Sequence, residues 1–162
     1  MLGKKMEQAL NDQINAEYFS SYLYLSMAAF FEAENLPGFA HWMRLQSQEE
    51  LAHAMKFFEF INERGGRVTL KALEAPETTW KSPLAVFQAA YKHEQYISDR
   101  INKLVDLAVK EKDHATNSML KWFVDEQVEE EASASAIVEK LKRVKDSPSP
   151  LFMVDRELGS RE

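Results

Sequence analysis

Apolar residues recur along most of this chain at intervals of three and four positions, which is the spacing of an amphipathic helix with one buried face. Residues that favour helix ends divide the pattern into four long segments, at about residues 5–34, 37–64, 83–112 and 114–145. A short fifth helix is predicted at about residues 151–158, after the sequence SPSP. Neither strand-like alternation nor an internal repeat competes with this interpretation, so the pattern predicts one all-α domain over residues 1–162.

The lengths of the links predict how the helices are arranged. Short links join the first helix to the second and the third to the fourth, so each pair is expected to form an antiparallel hairpin. The link between helices two and three has about 17 residues and reaches about 55 Å when extended. A helix of about 28 residues is about 42 Å long. The link can therefore cross the whole bundle, and the chain is predicted to form a four-helix bundle with one long crossover between helices two and three.

Composition supports helices and narrows the possible functions. Charged residues make up 28% of the chain, with 5 Gly and 5 Pro, a composition that favours helices over a turn-rich architecture. The net charge of −6 argues against nucleic-acid binding, which requires a basic face. Because there is no cysteine, a metal site here must use oxygen ligands and histidine. No apolar run has the length of a signal peptide or a membrane span, so we expect a cytoplasmic location and no membrane partner.

Carboxylates interrupt the apolar stripe of every long helix near its middle. The four are Glu17, Glu50, Glu94 and Glu130. Burying one unpaired carboxylate costs several kcal/mol, and four at one level would repel one another. Either large pKa shifts keep them protonated or cations lie among them. His53 follows Glu50 by one helical turn, in a Glu-x-x-His pair on one helix face, and this favours cations. A set of boundary residues or buried ion pairs is the alternative.

With these features, the chain resembles the non-haem ferritins of bacteria and archaea over essentially its whole length. The matching stretches are residues 15–17 (NAE), 22–26 (YLYLS), 48–54 (QEELAHA), 63–67 (ERGGR) and 125–131 (DEQVEEE). The predicted topology, with its single long crossover, is also that of ferritin-like bundles.

The resemblance implies two adjacent iron sites in each chain and a third beside them. The first site would use Glu17, Glu50 and His53. The second would use Glu50 as a bridge together with Glu94 and Glu130, with Gln127 nearby. The third would use Glu49, Glu126, Glu129 and Glu130. Tyr24 would neighbour the di-iron site and hydrogen-bond a ligand or supply an electron. A solvated acidic face is the alternative for the third site, and a plain core tyrosine for Tyr24.

The function that the resemblance implies is iron storage and detoxification. The chain would be a ferroxidase that oxidises Fe(II) to Fe(III) with O2 or H2O2, and the product would form a mineral inside a shell of twenty-four subunits. Haem is not expected, because Leu51 stands where haem-binding relatives have methionine. The acidic pore residues of animal ferritins are replaced by Asn117 and Leu120.

Other interpretations of the sequence remain open. One is a di-iron oxidase or peroxidase that stores nothing, and another is a structural bundle without metal. A twelve-subunit miniature ferritin is less favoured, because its site is shared between chains. The remaining histidines, His41, His93 and His114, lie off the apolar stripes and are interpreted as surface residues.

Overall fold

Five helices form the fold, in a computed structural model that describes residues 1–145 and 147–162. They are α1 (Lys4–Ala33), α2 (Pro37–Glu63), α3 (Pro83–Glu111), α4 (His114–Val144) and α5 (Pro148–Leu158). The predicted all-α bundle is confirmed, and the ends of the four long helices agree with the sequence analysis to within one residue. Among the described residues, no helix is long and apolar enough to cross a membrane.

The helix ends follow from local chemistry. The Ser82 hydroxyl accepts a hydrogen bond from the Ala85 N–H at 3.1 Å and caps α3, whose first residue is Pro83. At the start of α4, Asp113 accepts from the Thr116 N–H at 3.1 Å. The same carboxylate accepts from Arg64 at 3.0 Å, which ties the start of α4 to the end of α2. After α2 the chain turns at Gly65, whose φ of +71° lies in the left-handed region that glycine adopts without strain.

The crossover, residues 64–82, runs along α1 and makes α2 and α3 parallel. The Asn11 side chain donates to the Arg67 carbonyl at 2.9 Å and accepts from the Thr69 N–H at 2.7 Å. Near the other end of the crossover, the Ser26 hydroxyl donates to the Glu77 carbonyl at 2.6 Å. The segment therefore follows α1 from its first turns towards its last, as the length of the link predicts.

Two separate apolar clusters fill the bundle, one on each side of a polar layer. One cluster lies where α1 and α4 end and α2 and α3 begin, and it includes Phe31, Phe39 and Phe87. The other lies at the opposite end and includes Phe57, Phe123 and Ile101. The four core-facing carboxylates occupy the layer between these clusters, since their positions fall between those of the cluster members on each helix.

Helix α5 begins at Pro148, three residues before the predicted start at residue 151. Prolines at 148 and 150 are compatible with the first turn, because the first N–H groups of a helix have no partner within the helix. The buried Asp155 carboxylate accepts from the Phe39 N–H at 2.9 Å. Helix α2 has no side-chain cap of its own, so α5 supplies an acceptor to its first turn.

Close contact between α5 and the start of α2 requires glycine at position 38. A Cβ atom at Gly38 would lie 2.5 Å from the Asp155 carbonyl carbon and nearer still to its oxygen. We expect Gly38→Ala to destabilise the protein by about 2 kcal/mol through this overpacking. At fixed protein concentration, that corresponds to a fall in Tm of about 4–8 °C by calorimetry. Gly3→Ala is the control, because its Cβ would meet nothing nearer than 3.6 Å. Equal Tm values for the two variants would contradict the packing argument.

Candidate metal centre

The polar layer brings together side chains from all four long helices. Its acidic and imidazole groups are Glu17 from α1, Glu50 and His53 from α2, Glu94 from α3 and Glu130 from α4. Each of the five is 6% exposed or less. Glu50 and His53 project together because residues three apart share a helix face. The structure thus places in one buried layer all five residues that the sequence analysis assigned to the first and second sites.

These residues form two groups that share one carboxylate. In the first group, ligand atoms of Glu17, Glu50 and His53 all lie within 4.8 Å of one another. In the second group, the same holds for Glu50, Glu94 and Glu130. Because Glu50 has two oxygens and belongs to both groups, it is positioned to bridge two cations.

Glutamine side chains hold several of the carboxylates in place. Gln13 donates to Glu17 at 2.8 Å and accepts from Arg100 at 2.9 Å. Gln46 donates to Glu130 at 2.6 Å and to Glu50 at 3.2 Å. These amides orient the carboxylates without adding charge to the layer, and Arg100 lies one side chain further out.

Two more residues constrain Glu94. The buried Tyr24 hydroxyl donates to one oxygen of its carboxylate. Gln127 donates to the other oxygen at 3.1 Å, and also to the Glu94 carbonyl at 3.2 Å and to the Ser98 hydroxyl at 3.3 Å. Tyr24 and Gln127 therefore contact a candidate ligand, as the resemblance implied for Tyr24.

Burial controls the charge of the layer whenever no cation is bound. Desolvation, only partly offset by the hydrogen bond from Gln13, raises the pKa of Glu17 to about 7. Desolvation and the neighbouring Glu94 charge raise the pKa of Glu130 to about 8 and that of Glu50 well above its usual range. Desolvation also raises the pKa of Glu94. Protons on these carboxyls limit their mutual repulsion, and a divalent cation could replace them.

His53 is suited to metal coordination. Burial, with a further contribution from the Lys56 charge, lowers the pKa of His53 to about 4. The ring is therefore neutral at physiological pH and offers a nitrogen lone pair. Nδ1 lies 3.2 Å from Glu50 and 4.0 Å from Glu17.

One buried oxygen indicates that a cation fits the layer. Within the described residues, the buried Glu17 Oε2 receives no amide, hydroxyl or imidazole hydrogen bond, and any proton that Glu50 shares with Glu17 is lost once Glu50 ionises. A buried acceptor without a partner costs free energy, which coordination of a cation would recover. Oxygen ligands with one imidazole suit iron and other hard or borderline divalent cations.

A cavity of about 320 Å³ borders the layer where the third site was predicted. The predicted ligands Glu49, Glu126, Glu129 and Glu130 all line it. Ligand atoms of His53, Glu126 and Glu130 lie within 4.8 Å of one another, so the cavity lies next to the first ligand group. Glu49 instead forms an ion pair with Arg161 at 2.8 Å.

The interpretation of His41, His93 and His114 as surface residues is right for one of the three. His114 is exposed, but His93 is partly buried, and its Nε2 lies 2.7 Å from the Ser20 hydroxyl. The His93 ring also packs edge-on against Tyr24, with centroids 6.3 Å apart. His41 is partly buried too, and its Nε2 donates to the Arg161 carbonyl at 2.7 Å. The interpretation failed for His93 and His41 because the α1–α3 contact and the chain after α5 cover faces outside the apolar stripes.

Sequence reasoning assigned no role to Gln13, Gln46, Arg100 and Arg161. Gln46 lies on the apolar stripe of α2 one turn before Glu50, so its spacing could have revealed it. Gln13 likewise lies one turn before Glu17. No comparable pattern identifies Arg161, because its approach to the layer depends on how α5 docks.

Known proteins are similar to this chain in sequence and in fold. The chain matches the ferritin-like domain family over residues 7–144. It is 47% identical over 161 residues to a bacterial non-heme ferritin of Bacteroides fragilis, covering 99% of this chain and 100% of that protein. This chain belongs to the ferritin family. The matched ferritin-like region spans nearly all of the four long helices, whereas α5 and the residues after it lie outside that region.

Further ferritins cover the segments outside the matched domain. A bacterial non-heme ferritin of Staphylococcus aureus is 40% identical, covering 99% of this chain and 97% of that protein. An open pore ferritin from the archaeon Archaeoglobus fulgidus has a TM-score of 0.99 and 54% identity, with full coverage of both chains. Similarity to these ferritins therefore includes α5.

We expect Zn²⁺ binding to the metal-free protein at pH 6.5 to release protons. Glu17 and Glu130 hold protons below their raised pKa values of about 7 and about 8 and must lose them to become ligands. Apparent affinity should therefore increase as the pH rises towards 8. Calorimetric titration in two buffers of different ionisation enthalpy measures the release, which we expect to be at least about one proton per chain at pH 6.5, with Glu50 contributing as well because its pKa is also raised. The release should shrink between pH 6.5 and pH 9. An unchanged release would contradict the raised pKa values.

Proposed function

We propose that this chain is a ferroxidase subunit that oxidises Fe(II) to Fe(III) with O2 or H2O2 and stores the product as a mineral. The observation that carries the proposal is the pair of buried ligand groups that share Glu50. Two Fe(II) ions held side by side can each give one electron to a single oxidant. With O2 and two protons, the products are two Fe(III) ions and one H2O2. Membership in the ferritin family supports iron storage as the purpose of this chemistry.

The protein's own groups each have a role in this proposal. Glu17, Glu50 and His53 hold the first iron ion, and Glu50, Glu94 and Glu130 hold the second. Carboxylate ligands favour Fe(III) over Fe(II) because they neutralise the higher charge, which assists oxidation.

Tyr24 and Gln127 fix the orientation of Glu94 by their hydrogen bonds to it. Glu49, Glu126 and Glu129, together with Glu130, are proposed to hold a third iron ion in the acidic cavity.

Storage requires an assembly, and we propose a homo-oligomeric shell of twenty-four subunits. Several large apolar side chains are exposed on a single chain, which is typical of surfaces that become buried when subunits associate. They include Tyr22, Leu25, Leu70, Val128, Phe152 and Met153. Phe152 and Met153 lie on α5, and we propose that this helix takes part in subunit contacts.

Aerobic loading with excess Fe(II), followed by size exclusion with protein and iron detected together, tests both halves of the proposal. We expect many iron atoms per chain to travel with a particle far larger than one chain. About two iron atoms per chain on a small oligomer would support the di-iron site and overturn storage. A protein peak without iron would overturn the metal centre and favour a structural bundle.

We expect Glu50→Gln to slow the initial rate of Fe(II) oxidation by at least about 100-fold, because it removes the shared ligand while keeping the shape of the side chain. The rate is followed by absorbance of Fe(III) in a stopped-flow instrument. Glu59→Gln is the matched control, since Glu59 is exposed on the same helix and lies outside the ligand groups. Equal rates for the two variants would show that Glu50 does not hold the oxidised iron.

A further inference from the structure

Arg161 enters the acidic cavity beside the proposed di-iron site. It follows α5 and lies in the lining of the 320 Å³ cavity with four glutamates, Glu49, Glu126, Glu129 and Glu130. The residue thus brings a positive charge to the place where the proposed third iron ion would bind.

Contacts on several sides hold the Arg161 side chain there. Its Nη2 donates to Glu49 at 2.8 Å, and its Nη1 donates to the Trp42 carbonyl at 3.3 Å. The guanidinium lies over the Trp42 ring, 4.6 Å from the ring centroid. His41 fixes the backbone through the Arg161 carbonyl at 2.7 Å. The Arg161 side chain is 23% exposed, and its guanidinium contacts both the Glu49 carboxylate and the Trp42 ring. Arg161 is therefore not a freely solvated surface charge.

Arg161 also reaches the carboxylates of the polar layer through Gln46. Its Nη1 donates to Gln46 Oε1 at 3.1 Å, which leaves the Gln46 amide N–H groups for Glu130 and Glu50. One guanidinium therefore neutralises Glu49 directly and sets the orientation of a group bonded to Glu130. Two of the four candidate ligands of the third site are constrained by it.

We propose that Arg161 is a tethered cation that occupies the acidic cavity and competes with the third metal ion. This inference rests on the proposed function, since the cavity adjoins the proposed di-iron site. A divalent cation that binds Glu49 must break the Arg161–Glu49 ion pair and overcome repulsion from the guanidinium. The third site is therefore weaker than its four carboxylates alone would make it, and the chain after α5 sets its affinity. Arg161 acts here as a positioning residue and touches no reacting atom.

The test is equilibrium binding of Zn²⁺, a redox-inactive divalent ion, to the full chain at pH 7. Four proteins are compared: the wild type, Arg161→Gln, Arg161→Lys and Arg156→Gln. Arg156 is an exposed arginine on α5 outside the cavity, so its variant makes the same charge change without altering the lining. Stoichiometry and stepwise affinities come from calorimetry, with zinc bound per chain checked after dialysis.

We expect two tight Zn²⁺ ions per chain in all four proteins. A third ion should bind about tenfold more tightly to Arg161→Gln than to the wild type or Arg156→Gln, since one opposing charge is removed. Arg161→Lys should stay close to the wild type, because it retains the charge. Adding Glu49→Gln to Arg161→Gln should abolish the gain, which places the third ion at Glu49.

Two outcomes overturn the inference in different ways. If two ions bind tightly but the third affinity is the same in Arg161→Gln and Arg156→Gln, Arg161 does not compete and the di-iron proposal stands. If the wild type binds no pair of tight ions, the di-iron proposal fails and the competition argument fails with it.

Discussion

The burial of four glutamates at one level of a helical bundle is the constraint on which the rest of this structure depends. Desolvation raises the pKa of these carboxyls, and protons and amide donors limit their repulsion whenever no cation is bound. Apolar clusters at both ends supply the stability that such a layer cannot provide for itself. Carboxylates therefore replace apolar side chains in the central layer, which lowers the contribution of that layer to stability and provides ligands for a cation.

The carboxylates of the layer are hydrogen-bonded by neutral glutamine amides, and the nearest arginines lie one side chain further out. Gln13, Gln46 and Gln127 donate to carboxylates without titrating. Arg100 and Arg161 reach the layer only through a glutamine, although Arg161 also pairs directly with Glu49 in the adjoining cavity. A lysine or arginine placed directly among the carboxylates would neutralise them permanently and leave no reason for a cation to bind. Holding the positive charges one side chain away keeps the carboxylates oriented and still available as ligands.

Much of the fold and of the site could be predicted because both depend on spacing along helices. The three- and four-residue period located Glu17, Glu50, His53, Glu94 and Glu130, and the length of the crossover predicted that α2 and α3 are parallel. Contacts made by α5 could not be read in this way. The Asp155 cap on α2 and the reach of Arg161 depend on a docking angle that no periodic pattern encodes, whereas the early start of α5 follows from the compatibility of Pro148 with a first helical turn. His93 escaped prediction because its contacts lie across the α1–α3 interface.

The division of the bundle into two hairpins has a consequence for chains that have not finished folding. All ligands of the first group, Glu17, Glu50 and His53, come from the α1–α2 hairpin. The second group needs Glu94 and Glu130 from the other hairpin as well. A chain in which only the first hairpin has formed therefore lacks two of the three ligands of the second group. Under the proposed chemistry, oxidation needs a second electron from a neighbouring iron, so we expect a chain whose hairpins have not packed together to be inactive.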